Sequence, residues 1–599
     1  MQNNPRKYYS SKISSLESVL KEKKKRNSYL YLLRFITFIS IVVFVFLFFK
    51  SQNNIVFLYS GGIFLIAFIA ALSFDLKNSW QIKFTGHKLS INKSELRFLD
   101  HQYTERKTGE EYMELNPHLA DDFDIFGTGS VFQYLNRTST LIGEARFASW
   151  LCEPQTSESH ILAKQNAIEE LSAKVDFIQE FMAQGMFVNE NGSETDSLMV
   201  WLEESPVKIK TLKFLTYLIP VFTLSWLTIV ILGYMSVNSL LVPILTSLYI
   251  IFLNRKILAS AHNKLGNTAK TFEKYTDLIR LIENEKFTSD YLSDLQKNLI
   301  SDGIKASHSL KDLYKLLHRF DVRFNVLVSF FLNSFLIYDI RIYVRLAGWK
   351  TRHKNLIPGW FESLAELDSL ISFSVFTFNN ADSLCRPVIE NNEFTFRATA
   401  MGHPIIAKET RVCNSLHFSG TPSVIIITGA NMAGKSTFLR TVSINMILAM
   451  NGAPVCAKEF VFTPCSVLSS IKIQDSLYKN ESYFYAELLR IKEIIEHTRE
   501  QSRTLVVLDE ILRGTNTKDK QTGSLGILEK LISQNAVVLL ATHDLVIGEL
   551  ENKYPEFVRN YCFEVELTND QLIFDYKLKK GISKKLNASF LMKKLNIID

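Results

Sequence analysis

Two kinds of structure are predicted in this chain: an α/β domain built on a parallel sheet in its last third, and a largely α-helical remainder that carries paired apolar hairpins. Three observations predict them. Short β-branched apolar runs at residues 423–428, 503–508 and 536–541 each deliver a polar or glycine-rich end, as parallel strands buried on both faces do. Residues 55–74 and 214–254 carry no charge over lengths that suit one and two membrane passes. Residues 123–187 and 257–317 repeat apolar side chains at helical spacing, with Leu278, Ile279, Leu281 and Ile282 set between charged faces.

In chain order, residues 1–31 form a basic segment, with Lys21, Lys23, Lys24, Lys25 and Arg26 just before the apolar block. Residues 32–74 make the first hairpin: 35–49 is slightly short for a span, and Leu32 and Leu33 extend it past Arg34, whose long side chain snorkels. A secretory signal is the rival account, but the basic region is too long and a second span follows at once. Residues 75–115 are a linker, and 116–212 the first part of the helical body. Residues 213–254 are the second hairpin, folded about 235–239, although the short, Pro243-containing stretch 240–253 could also be a buried helix. Residues 255–395 continue the helical body, which could be a bundle, a coiled coil or a lever. Within it, residues 325–349 contain Asp339, Arg341 and Arg345 and read as one buried helix rather than a fifth span. Residues 396–599 form the α/β domain.

Charge sets the orientation. Lys208, Lys210 and Lys213 precede the second hairpin and Arg255 and Lys256 follow it, whereas the turns at 51–54 and 236–239 are uncharged. The positive-inside rule puts every polar part on the cytoplasmic face of a multi-pass inner-membrane protein. A formal charge of +7 over 599 residues is too modest to argue for a nucleic-acid partner by itself. Six cysteines without a C-x-x-C pair read as reduced thiols.

Chemistry concentrates in the α/β domain. The run Gly429-Ala430-Asn431-Met432-Ala433-Gly434-Lys435-Ser436-Thr437 follows an apolar strand and opens a helix, which is the setting of a P-loop. Its backbone N–H groups would wrap the phosphates of ATP, Lys435 would reach the β and γ phosphates, and Ser436 would ligate Mg2+. Asp509 and Glu510 end the second run; Asp509 would hold the hydrated metal and Glu510 orient or deprotonate the attacking water. His543 ends the third run, where a γ-phosphate sensor would sit.

These residues resemble the MutS ATPases, in which Asn-Met inside the P-loop is characteristic. Asp509-Glu510-Ile511-Leu512-Arg513-Gly514-Thr515-Asn516 and Ala541-Thr542-His543 are similar to the family's acidic strand end and switch, and Ser482 to Glu487 stand where it has a signature segment. Gly127 to Thr140, Trp150-Leu151-Cys152-Glu153-Pro154 and His403-Pro404 match its lever and the entry to its ATPase domain. The resemblance implies an ATP- and Mg-dependent ATPase acting as a homodimer, in which Ser482 caps the γ phosphate bound by the other subunit. It also implies a DNA-repair type of clamp held by phosphate-backbone contacts. Read alone, Ser482 is an ordinary helix cap. The family's Phe-x-Glu mismatch wedge is expected to be missing, its place taken by a hairpin. Leu512 stands where a glycine is frequent and Asp544 where an aromatic is. The rival expectation is an ATP-driven membrane machine acting on lipid or a protein partner without DNA.

Overall fold

The computed structural model describes residues 4–51, 54–187, 200–204, 209–265, 269–301, 303–472, 483–501, 503–568 and 571–583.

Helices Pro5–Lys50 and Ile55–Leu99 lie antiparallel along their whole length. Each starts on an asparagine cap: Asn4 accepts from the Lys7 amide and Asn54 from the Val56 amide, and Pro5 occupies the first turn, where its missing N–H is no loss. Their apolar halves meet at Gly61, where a side chain would come within 3.7 Å of Phe44 Cβ. Their polar halves are joined by the Arg34–Asp75 pair, by Lys23 donating to Thr85, and by Lys93 donating to Glu17 at 2.6 Å. Residues 5–31 of the basic segment and 75–99 of the linker continue the hairpin helices without a break, because the i to i−4 ladder is a backbone feature that polar helix formers sustain as well as apolar ones.

The second hairpin consists of Ile209–Ile231 and Leu241–Leu265 joined by a short 3-10 turn, Val237–Leu240. Among the described residues four helices are thus long and apolar enough to cross a membrane, or five if the bent pair Val326–Leu336 and Tyr338–His353 counts as one span. Their outward faces expose Phe35, Phe46, Ile63, Ile66, Val221 and Leu245.

Residues 325–349 are not one buried helix. Helices Val326–Leu336 and Tyr338–His353 meet at 80°, hinged at Ile337, whose φ of 40° ends the first helix in a left-handed cap. The charged residues lie on the second helix, which packs into the body; the first exposes Val326, Leu327 and Phe331.

The helical body packs Leu141–Cys152, Glu158–Ala173, Ala269–Asn284, Ala306–Phe320 and Ile357–Asn379 around Trp349, Trp360, Phe147 and Phe181. The Asn136 to Thr140 segment is fixed by Asp368, whose buried carboxylate accepts from the Ser139 and Thr140 amides and from Thr140 Oγ1 at 2.7 Å. The body meets the α/β domain directly: Asn451 Nδ2 donates to Trp150 O at 2.7 Å, and Arg440 pairs with Asp124 at 2.9 Å.

The α/β domain holds a six-stranded sheet of β1 (Ser423–Gly429), β2 (Ser466–Ser470), β3 (Thr504–Asp509), β4 (Val537–Thr542), β5 (Val558–Thr568) and β6 (Gln571–Lys580), in the spatial order β6-β5-β1-β4-β3-β2. All neighbours are parallel except the β5–β6 pair. In β1, Ile425 and Ile427 join the core under helix Lys435–Met450, while Val424 and Ile426 join a second core with Ile491 and Leu528 from the opposite face. Burial on both sides is why this strand shows no polar alternation. A four-stranded sheet of Val388–Ile389, Glu459–Phe462, Thr395–Met401 and Asn414–Ser419 stands beside it.

Candidate functional site

The parallel order aligns the carboxyl ends of β1, β3 and β4, and the candidate residues project from those ends. Open α/β sheets carry their ligands at this edge.

After β1 the chain turns through Gly429 to Gly434 and enters helix Lys435–Met450. Gly429 (φ 153°) has no room for a side chain, since a Cβ would lie 2.7 Å from Phe563 O of β5. Gly434 has φ 101°, costly for any residue with a Cβ. Met432 also takes a left-handed φ, 68°, and its side chain is exposed at the loop tip. The Lys435 ammonium is buried and donates to Gly429 O at 2.8 Å and Ala430 O at 3.0 Å, lying 4.0 Å from Glu510 Oε1. Burial pushes its pKa down, against the pull of Glu510 and Asp509. A cation in such surroundings gains from an anionic ligand.

At the end of β3, burial raises the Asp509 carboxyl while a hydrogen bond from the Ser436 side chain opposes the rise. Two hard oxygen donors from different loops, next to a buried ammonium and a helix N-terminus, suit a phosphate-bound divalent cation. Glu510 has a left-handed φ of 51°, and its amide donates to Ala541 O of β4 at 2.9 Å. Its Oε1 faces His543 Nδ1 at 3.3 Å as well as Lys435. Catalytic candidates from three strands thus share one carboxylate.

Lys435, Ser436, Thr437, Asp509 and Glu510 line one cleft of about 640 Å³, together with His403, Asn414, and Phe563 and Tyr576 of the β5–β6 hairpin. Asn431, Met432 and Gly434 line it too. Ser482 lies outside the described residues, as does the start of its segment.

Three contributors had no role assigned from the sequence, although Glu487 and Arg513 lie in segments it singled out. Glu487, in helix Tyr483–Glu500, accepts from the Leu512 amide at 2.6 Å and the Arg513 amide at 3.2 Å, and so clamps the loop after the acids. Arg513 donates to the Asp509 and Glu510 carbonyls, each at 3.0 Å. Tyr576 packs over Gly434. A carboxylate at the fifth position of an amphipathic helix carries no signal that it faces a loop 25 residues on. Leu512, unexpected in place of glycine, adopts φ 59°, and Asp544 caps the next short helix by accepting from Val546 N at 3.1 Å.

The model of MutS domain V matches residues 425–593, which contain this site, and that of MutS domain III matches residues 113–374 of the helical body. Among curated proteins the chain is similar to MutS protein homolog 4 of Mus musculus, 28% identical over 54% of this chain and 34% of that protein. It is also similar to the DNA mismatch repair protein MutS of Thermotoga sp. (strain RQ2), 29% identical over 39% of this chain and 29% of that protein. The chain spans about a third of the length of the curated relatives it matches.

Proposed function

We propose, from the premise that the chain belongs to the MutS family, that it binds and hydrolyses ATP with Mg2+ in a cytoplasmic domain anchored to the inner membrane by two hairpins. It works as a homodimer in which Ser482 of the partner subunit completes each site, and its helical body holds duplex DNA by the phosphate backbone without reading mismatches. The observation that carries the ATPase reading is the convergence of Lys435, Ser436, Asp509 and Glu510 on one cleft at the carboxyl edge of a parallel sheet. The four exposed apolar helices and their lysine and arginine flanks support the anchoring.

In this reading the backbone N–H groups from Ala430 to Gly434 receive phosphate oxygens, and Lys435 leaves its two carbonyl partners to neutralise the β and γ phosphates. Ser436 and Asp509 would hold a magnesium ion, which would supply charge screening for the transferred phosphoryl group. Glu510 aligns the attacking water and takes its proton. His543, on the same Glu510 oxygen, keeps that carboxylate aimed and registers loss of the γ phosphate. Glu510 is bonded to β4 through its amide and its loop to Glu487, so a strand and a helix together hold its position.

The test is ATP turnover by the full chain in detergent. Lys435→Ala should abolish tight nucleotide binding, and Glu510→Gln should keep binding while slowing hydrolysis about a hundredfold or more. Equal turnover of wild type and Glu510→Gln would reject the assigned water-orienting role. Binding to matched and mismatched duplex across a salt series then tests the DNA part; a log-log slope without mismatch preference is expected. The exposed apolar helices favour one second reading, a membrane machine that moves lipid or protein. Absence of any salt-dependent DNA binding would select it.

A further inference from the structure

A cavity of about 810 Å³ opens where the start of helix Ile209–Ile231 meets helices Ala306–Phe320 and Tyr338–His353. Six basic side chains line it: Lys213, Lys315, Arg319, Arg341, Arg345 and Arg352. Among the described residues the single carboxylate in its lining is Asp312, which lies 3.6 Å from Lys315. Arg341 donates only to Thr216 O at 3.4 Å and Arg352 to Gly348 O at 3.3 Å; among the described residues none of the five other cations has a carboxylate within 4 Å. Five like charges facing one hollow repel each other, and a bound anion would relieve that repulsion.

Where the cavity sits decides which anion. Thr223, ten residues or about 15 Å beyond Lys213 on the same helix, donates to Phe335 O at 2.6 Å. At its other end, helix Val326–Leu336 follows Arg323, which donates to Leu258 O at 3.2 Å, close to the polar end of the second hairpin. This helix therefore runs alongside the apolar stretch and bends back at Ile337, leaving Val326 78% and Leu327 74% exposed beside the hairpin. The basic hollow lies at the polar root of this apolar group. At such a root the cations are placed for a phosphate headgroup whose acyl chains lie along the exposed apolar helices.

We propose that this cavity is a binding site for the headgroup of an anionic phospholipid, and that helix Val326–Leu336 dips into the membrane beside it. The proposal rests on the reading of the hairpins as membrane-spanning. The experiment uses the full chain. Flotation with phosphatidylcholine vesicles tests the anchoring, and short-chain phosphatidylglycerol, phosphatidylcholine, inorganic phosphate and duplex DNA are then titrated against the detergent-solubilised protein by thermal shift. Phosphatidylglycerol should stabilise the wild type well beyond phosphatidylcholine. Arg319→Gln combined with Arg345→Gln should weaken that binding about thirtyfold, a factor of about five for each charge removed. The Arg319→Lys, Arg345→Lys variant should keep it, which separates lost charge from lost fold. Failure to float with neutral vesicles would overturn the anchoring and the proposal together. Flotation with no headgroup preference, or with binding unchanged in the double glutamine variant, would overturn the site alone. An equal shift from inorganic phosphate, or a shift from DNA that the double variant abolishes, would reassign the hollow to free phosphate or to nucleic acid and overturn the lipid.

Discussion

Glu487→Gln is expected to damage hydrolysis far more than nucleotide binding. In the native loop two residues, Glu510 at φ 51° and Leu512 at φ 59°, hold left-handed conformations that cost about 1–2 kcal/mol each. Opposing this are the two bonds from the Leu512 and Arg513 amides to the Glu487 carboxylate, at 2.6 and 3.2 Å, worth about 1.5–3 kcal/mol each because the acceptor is charged. The clamp thus exceeds the strain by only about 1–2 kcal/mol. Glutamine keeps one acceptor and turns an N–H against the Arg513 amide, so at least one bond is lost and the balance reverses. The loop then spends most of its time relaxed, with Glu510 no longer facing His543 and Lys435. Turnover should fall about ten- to a hundredfold, while the ATP dissociation constant, set on the separate loop of Lys435 and Ser436, changes less than about threefold. Steady-state ATPase rates beside equilibrium binding of a fluorescent nucleotide decide this. Undiminished turnover in Glu487→Gln would refute the clamp, and a matching loss of binding would mean that the two loops are not independent.

Three other outcomes are expected. Leu512→Gly relieves about 1–2 kcal/mol of left-handed strain but removes a buried leucine seated against Gly523, a loss of about 2–5 kcal/mol, so denaturant unfolding should show net destabilisation; a stabilised variant would show that strain dominates. Lys164 is buried with its ammonium 3.3 Å from the Trp150 ring centroid, and burial pulls its pKa from 10.5 down to about 7 despite Glu366. Between about pH 7 and 10.5 the unfolded chain binds a proton that the folded chain does not, so stability should rise with pH across that window, by at most about 1.4 kcal/mol per unit, and Lys164→Met should remove the slope; a persisting slope in thermal scans assigns it to another group. Mixing Lys435→Ala with Ser482→Ala, each inactive alone, should restore up to about half the wild-type rate per dimer, and no recovery in a mixture shown by cross-linking to contain heterodimers would leave Ser482 as a helix cap.

What the sequence by itself determined are the features encoded within a few residues or by a single period. The glycines of the loop after β1, the lysine beside them and the acids ending β3 are local requirements of phosphate chemistry, and the uncharged stretches at 55–74 and 214–254 are determined by length alone. Only the tertiary structure decided how far each hairpin helix continues, because a backbone ladder does not register where apolar side chains give way to polar ones. It alone decided that residues 325–349 bend at Ile337, since a left-handed hinge at a β-branched residue is imposed by packing against the hairpin and not by propensity. The β5–β6 hairpin over Gly434, the clamp from Glu487 to Leu512 and the carboxylate of Asp368 under Thr140 likewise join residues 25 to 228 positions apart. No window of sequence contains both partners of such a bond, and the burial that makes each one strong exists only once the chain has folded.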